Sequence, residues 1–372
     1  MSIPEERNND ISTIMRGNEA DKAADFANYF CSYAYLYHQK QMLMDHVRMR
    51  AYHSAIMLNK HLFEGKTILD VGTGSGVLSI WAAQAGAAKV YAIEYTDMAL
   101  HARRLVEANG VSHIVEVIQT SAEDLELPCQ VDIIISEWMG YFLLRESMCD
   151  SVLRARDRWL KPTGAMFPSN ATMYFSCISN EEDREHKFNE YCQSMNEWKS
   201  FSREMKEYYS MDMTVLEPNF MKEQEDYYIY SSLWTELQPH HILGDPVVIK
   251  RLDLNTCTIA DVLGVSPTPV RIEIPFPART SGFAGWFTVD FAGSIASPVS
   301  RRVTLSTGPE VGYTHWGQQV FYLRSPIDCT PGTVISGTVE MVRQEKNKRL
   351  YNLQVKYSVD DGEEHKAIYE IP

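Results

Sequence analysis

The sequence predicts an α/β domain built on a parallel sheet, followed by an antiparallel β-barrel or sandwich that a helical arm interrupts. Three observations predict it. Between residues 66 and 136, short apolar runs alternate with helical patterns, as in βαβ units whose sheet is covered on both faces. From Asn170 onward the strands are short, alternating and punctuated by Gly and Pro. A stretch rich in Glu, Lys, Tyr and Met at about 187–225, with helical spacing around Trp198–Tyr209, breaks that second pattern.

Residues 1–20 are polar and read as a mobile N-terminus. Residues 21–55 read as one or two helices: Phe26, Tyr29, Phe30, Tyr33 and Tyr37 recur at three- and four-residue steps, and Met42, Asp45, Met49 and Tyr52 continue the rhythm. In 56–167, the runs Thr67–Val71, Lys89–Ile93, Ile114–Ile118 and Val131–Ile135 read as buried parallel strands, with Val77–Ala85 and Met98–Asn109 as crossover helices. The pattern changes near Lys161-Pro162-Thr163-Gly164. In 168–372, Met173–Ile178, Val270–Ile274, Ala284–Phe291, Arg302–Ser306, Val320–Leu323, Val334–Met341 and Tyr351–Val359 read as strands.

The 372 residues are 45% hydrophobic and 23% charged, enough for two domains with real cores. No apolar run approaches the ~18 residues of a membrane span, and the polar start is unlike a targeting signal, so no membrane association is expected. Seven cysteines without a CxxC pair argue for reduced thiols in the cytoplasm or nucleus, and against a disulfide frame or a metal site. A formal charge of −14 disfavours direct nucleic-acid binding, which needs clustered Lys and Arg. It would steer a basic protein partner, although many cytosolic proteins are simply acidic.

Asp70-Val71-Gly72-Thr73-Gly74-Ser75-Gly76 runs from a strand into a glycine-rich turn that opens a helix. Glycine allows the backbone to approach a ligand closely. A dinucleotide fingerprint would place its third glycine at position 77, where Val77 stands, so Gly72, Gly74 and Gly76 suit a cofactor without a pyrophosphate. Glu94, ending the second strand, can accept both ribose hydroxyls, and Glu123, after the third, can accept from an adenine amino group.

Glu137 follows the apolar run Val131–Ile135, at the end of a parallel strand where α/β sheets bind ligands. Glu146 returns to the same place if Trp138–Arg145 forms a hairpin-like loop, with Gly140 permitting the turn; otherwise it is a solvated loop residue. Two close carboxylates repel, and a guanidinium between them removes the conflict through forked hydrogen bonds. Loop and carboxylates together suggest that a cationic nitrogen is gripped by two acids and alkylated by a bound methyl donor.

Ser136-Glu137-Trp138-Met139-Gly140-Tyr141 with Glu146-Ser147-Met148 resembles the double-glutamate loop of the protein arginine methyltransferases. Tyr313-Thr314-His315-Trp316 resembles that family's threonine-histidine-tryptophan loop, Tyr29-Phe30-Cys31-Ser32-Tyr33 its N-terminal helix motif, and Asp70 to Gly76 with Glu94 its S-adenosylmethionine site. The motifs occur in the family's order from about Phe26 to the C-terminus.

The resemblance implies helices covering the cofactor, a Rossmann-like methyltransferase domain, a β-barrel, and a dimerisation arm inserted in the barrel at 187–225, giving a head-to-tail homodimer. It implies a cis bond at Phe167-Pro168. It assigns catalysis to Glu137 and Glu146, with His315 and Asp45 as a proton outlet, although His315 also reads as a structural histidine and Asp45 with Arg48 as a surface helical pair. Arg48 would meet the cofactor carboxylate. Gln39 stands where the family commonly has a histidine. Phe30 and Tyr33 would close over the cofactor, and Tyr33 and Trp316 would border the substrate. Met42 and Met148 would shape the space around the attacking nitrogens as in type I enzymes, which make asymmetric dimethylarginine, unless they are core filling. The implied substrates are basic, Arg/Gly-rich proteins, with RNA-binding proteins and histones as candidates. A catalytically weak or silent partner of an active homologue is the alternative, and the intact motifs speak against it.

Overall fold

The computed structural model describes Ile11, residues 33–345 and residues 347–372. Residues 1–10 and 12–32, with Phe26, Tyr29, Phe30, Cys31 and Ser32 among them, and residue 346 lie outside the described residues.

Among the described residues, α1 (Leu36–Met44), α2 (His46–Met57) and a single turn at Lys60–Phe63 lead into the sheet. Asp45 separates α1 from α2 and caps α2, its Oδ1 accepting the Arg48 backbone N–H at 2.9 Å. A side-chain acceptor there satisfies one of the amide groups that a helix start leaves unpaired. The parallel sheet then forms from β1 (Thr67–Val71), β2 (Lys89–Glu94), β3 (Val115–Gln119), β4 (Val131–Ile135) and β5 (Leu160–Phe167) in the order β3-β2-β1-β4-β5. Helices α3 (Val77–Gln84), α4 (Met98–Ala108) and α5 (Cys149–Trp159) connect the strands. Strand β1 lies between β2 and β4, so the direction of winding reverses there. The crevice above the carboxyl ends of β1 and β4 is where such sheets accept ligands.

The break at Lys161-Pro162-Thr163-Gly164 falls inside β5. This strand pairs only with β4, through an irregular register, and an edge with a bulge tolerates a proline. The Phe167-Pro168 bond is cis. Next come β6 (Asn170–Ile178), a helical pair α6 (Glu181–Tyr209) and α7 (Glu217–Tyr228), and then β7 (Leu233–Thr235) to β15 (His365–Ile371). The helical insert is thus wider than 187–225. The acidic first turn Glu181-Glu182-Asp183 already belongs to it, where negative charge suits a helix start.

The antiparallel part has two sheets. One runs β7-β12 (Gln318–Cys329)-β10 (Ala278–Gly293)-β6-β8 (Ile242–Asp253), with β11 (Pro298–Ser306) on β10. The other runs β15-β14 (Tyr351–Val359)-β13 (Thr333–Arg343)-β9 (Gly264–Ile274). A single apolar cluster joins both parts of the molecule. At the junction Tyr52 meets Phe291 edge-on at 4.8 Å, and Phe63 meets Phe167 at 5.3 Å between ring centroids. The parallel sheet and the barrel therefore share a core, which fixes the loops between them. Among the described residues no helix is long and apolar enough to cross a membrane, and no group of side chains has the makings of a metal site.

Candidate active site

A cavity of about 820 Å³ opens above β1 and β4, within the size range of cofactor and substrate sites. Its walls bring together Gly72, Gly74, Glu94, Glu123, Gln39, Arg48, Glu137, Glu146, Met42, Met148 and His315. Residues read separately from the sequence as cofactor-binding and as catalytic thus share one space.

The glycine loop is held from beneath. Asp70 is fully buried, and its Oδ2 accepts the hydroxyls of Thr73 at 2.6 Å and Ser79 at 2.7 Å. Burial pushes its carboxyl up to about 6, against the pull of these hydroxyls. Gly72 has φ +71°, and a Cβ there would run into the terminal methyl of Met148. Only glycine leaves that surface open. Glu94 Oε2 accepts Gly74 N–H at 3.0 Å, and Oε1 accepts Thr96 N–H at 2.9 Å and its hydroxyl at 2.8 Å. Oε1 thus has both lone pairs engaged and Oε2 has one still open, which leaves Glu94 a site for a ribose hydroxyl. Gln39 is buried, donates to the Tyr33 carbonyl at 3.3 Å and packs over Gly74. Glu123 accepts from Ser151 Oγ at 2.8 Å at the rim. This donor set of two carboxylates, an arginine, an amide and an open glycine surface fits a nucleoside carrying an amino-acid tail.

The expected turn after Glu137 is present: Gly140 N–H donates to the Leu143 carbonyl at 3.0 Å in an antiparallel bridge. Gly140 is needed for close approach, because a Cβ would strike the Arg145 carbonyl. The unusual dihedrals fall on other residues: Phe142, Leu143, Glu146 and Ser147 all have positive φ, with Glu146 at +78°. Left-handed non-glycine residues cost on the order of 1–3 kcal/mol each and persist where surroundings enforce them. Here the barrel does so. Phe142 packs against Phe321 at 5.9 Å, and Trp316 Nε1–H donates to the Met139 carbonyl at 2.7 Å. Trp316 is 3% exposed; with its one donor committed to the loop, only its ring borders the cavity.

Arg48 holds Glu137. Its Nε and Nη2 both lie 3.1 Å from Glu137 Oε2, and its Nη1 reaches the Met42 carbonyl at 3.4 Å. Glu146 Oε2 accepts the Tyr33 hydroxyl at 2.9 Å, and its Oε1 lies 3.3 Å from Arg145 Nη1. Burial pushes the Glu146 carboxyl above its usual range, Arg145 and Tyr33 oppose this, and Glu137 adds to it. The two acids therefore sense each other across the cavity. Asp45 Oδ2 accepts His315 N–H at 3.0 Å and lies 2.7 Å from His315 Nδ1. Burial raises the Asp45 carboxyl, but the bonds from His315 and Arg48 outweigh it and hold it below the ordinary value.

Sequence reasoning found His315 and Trp316 but missed the rest of the barrel's share of the site. Asn347, Lys348 and Arg349 also line the cavity. Tyr52, 1% exposed, donates to the Ser136 carbonyl at 2.9 Å. No local pattern marks Asn347, Lys348 and Arg349, which arrive through pairing of distant strands; Tyr52 belongs to the apolar rhythm of its helix, and only packing reveals its partner.

A fold with a parallel sheet, a glycine loop and a double-acid hairpin closed by a barrel defines a methyltransferase that handles a cationic group. A family model described as "Arginine methyltransferase oligomerization subdomain" matches residues 169–362, and one described as "Ribosomal protein L11 methyltransferase (PrmA)" matches 53–164. The chain is 50% identical over 344 residues to Protein arginine N-methyltransferase PRMT10 of Arabidopsis thaliana, covering 92% of this chain and 89% of that one. It is 38% identical over 333 residues to Protein arginine N-methyltransferase 1 of Caenorhabditis elegans, covering 88% and 87%. The crystal structure of Arabidopsis thaliana protein arginine methyltransferase 10, titled as a uniquely open conformation, superposes with a TM-score of 0.90 at 48% identity, over 92% of this chain and all of that one. The Trypanosoma brucei PRMT1 enzyme-prozyme heterotetrameric complex with AdoHcy gives 0.78 at 28% identity, over 92% and all of the respective chains. The chain belongs to the protein arginine N-methyltransferase family, enzymes that take their methyl group from S-adenosylmethionine.

Proposed function

We propose that this enzyme methylates terminal guanidino nitrogens of arginine in Arg/Gly-rich proteins and makes mono- and asymmetric dimethylarginine. The observation that carries the proposal is the convergence of Glu137 and Glu146 on the cavity that holds the glycine loop. When bound, S-adenosylmethionine supplies a methyl group on a positively charged sulfur. Gly72 and Gly74 would give its amino-acid portion a close backbone surface, Glu94 its ribose an acceptor, and Glu123 its base an acceptor.

The substrate arginine enters protonated and delocalised, hence poorly nucleophilic. Glu137 and Glu146 would each accept from it and draw positive charge toward the nitrogens they touch. The remaining nitrogen is left aimed along the cavity. Orientation and preorganised charge of this kind lower barriers without any change in the groups themselves. Arg48 contacts only Oε2 of Glu137, so Oε1 is the oxygen left to the substrate. A proton must leave as the new bond forms; His315 lines the same cavity with Asp45 buried behind it, and the pair would take the proton, with Glu137 as the other acceptor. Met42 and Met148, both on the cavity wall, would border the guanidinium, which supports the asymmetric product.

The acidic chain favours basic substrates, with RNA-binding proteins and histones as candidates, and the scattered cysteines support a cytoplasmic and nuclear enzyme. The apolar side chains left exposed on the helical pair, Phe201 and Met221 among them, support its use as the arm of a homodimer. The test is to incubate purified protein with labelled S-adenosylmethionine and a mixed protein extract, hydrolyse, and separate the methylated amino acids. Label in asymmetric dimethylarginine is expected; absence of label in any arginine derivative would refute the reading.

A further inference from the structure

The loop between β13 and β14 belongs to the barrel, yet it grips the catalytic hairpin at its most strained point. Glu146 N–H donates to the Arg349 carbonyl at 2.8 Å, and Arg349 Nη1 donates back to the Glu146 carbonyl at 2.8 Å. The next residue is tied to the same loop: Ser147 Oγ donates to the Lys348 carbonyl at 2.5 Å and lies 3.2 Å from the Tyr351 hydroxyl. Tyr351 receives Arg343 Nε at 2.9 Å, and Arg343 grips Asp150 with two bonds, 2.7 and 2.8 Å. Glu146 and Ser147 both have left-handed backbone, φ +78° and +58°. A pair of adjacent residues in that region relaxes unless something outside the hairpin holds it.

We infer that Arg349 is a positioning residue for the arginine methyl transfer: it pins both polar groups of the Glu146 backbone and thereby turns the Glu146 carboxylate toward Glu137. The inference rests on the reading of Glu146 as half of the guanidinium clamp. It gives the barrel a role in catalysis beyond covering the sheet, since one of the two acids takes its orientation from a barrel loop. Release of that peptide would let Glu146 swing away and leave Glu137 to hold the substrate alone.

The guanidinium of Arg349 also acts on Glu146 through charge, together with Arg145, Tyr33 and Glu137. Arg349 and Arg145 favour the ionised carboxylate, the Tyr33 hydroxyl donates to it, and Glu137 opposes ionisation. Loss of the Arg349 charge should therefore raise the pH at which Glu146 ionises, and the acid limb of activity should move upward.

The test compares Arg349→Met, Arg349→Lys and Glu146→Gln in the full-length protein, with an Arg/Gly-rich peptide as substrate. Arg349→Met should lower kcat by about 10- to 100-fold, the scale of a small misplacement of a catalytic group. It should leave the affinity for S-adenosylhomocysteine within about threefold, as the substitution leaves Glu94 and the glycine loop unchanged, and move the acid limb of kcat/KM up. Arg349→Lys, which keeps the charge and one donor, should restore the acid limb and part of kcat. Wild-type kcat and an unmoved limb in Arg349→Met would overturn the inference. So would loss of S-adenosylhomocysteine affinity in parallel with kcat, which marks a general structural role. Activity in Glu146→Gln would instead remove the premise, whatever the Arg349 variants do.

Discussion

The guanidinium of Arg48 lies 3.1 Å from Glu137 Oε2 through both Nε and Nη2, so a cation of the chain itself already rests on the acid that would grip the substrate. Both groups are about nine-tenths buried. Such a pair resists rotation, because breaking it leaves a charge unpaired in a poorly solvated place. Glu137 is thus held in a fixed orientation, with Oε2 engaged by Arg48 and Oε1 available to a substrate.

Glu137→Gln keeps the shape of that acceptor and removes its charge. Turnover should fall by at least about 100-fold, the usual scale for losing a preorganised charge at a reacting group. Cofactor affinity should fall little, since Glu94 and the glycine loop are untouched. Single-turnover kinetics and calorimetry with S-adenosylhomocysteine separate the two, and a variant that turns over like the wild type would sink the clamp.

Asp45→Asn should uncouple the helix cap from the histidine. Asparagine still caps α2, but it no longer offers His315 a charge, so turnover should drop about tenfold or more. The stability effect has a defined sign. Asp45 lies below its ordinary value of 3.8, so its contribution is complete above that value and is lost as pH falls through the lower, folded-state value. Melting curves should separate wild type from Asp45→Asn at pH 7 and converge toward pH 3; an equal gap at both would contradict the assignment.

Asp70 shows the opposite linkage. Its carboxyl is pushed from 3.8 to about 6 by burial, so the folded protein without cofactor loses stability as pH rises from about 4 through 6. Asp70→Asn still accepts from Thr73 and Ser79 and removes the buried charge. Its melting temperature at pH 7.5 should exceed that of wild type by a few degrees, the scale of about 1–2 kcal/mol in a protein this large, and the gain should vanish near pH 4. A lower melting temperature at pH 7.5 would show that the charge stabilises the loop.

Replacing 187–225 by a short Gly/Ser linker should leave the sheet and barrel folded, because the helical pair packs mostly on itself, as in the stacking of Trp198 on Phe220 at 4.3 Å. Sedimentation should then report a monomer with poor activity. An unchanged particle size would show that the dimer contact lies elsewhere.

Local chemistry was legible in the sequence where a few neighbouring residues carry it. The glycine loop, Glu94 and Glu137 follow from a strand ending in a turn, and Tyr351–Val359 follows from alternation with well-buried positions. Strand β8 escaped notice because Gly244 and Pro246 interrupt it and many of its positions face solvent. Strand β5 escaped because its proline and glycine read as a boundary. Both violate the pattern of a buried strand without violating the geometry of an edge strand or an irregular one.

By itself the sequence determined the parallel sheet, the barrel-like strands, the insert and the two acids, because hydrophobic period and glycine placement act over a few residues at a time. Only the tertiary structure decided how the acids face each other: Arg48 comes from a helix 89 residues before Glu137, and Arg349 from a loop 203 residues after Glu146. Those distances along the chain close only when the shared core brings barrel and sheet together, and no local pattern encodes a contact that the packing of the whole molecule creates.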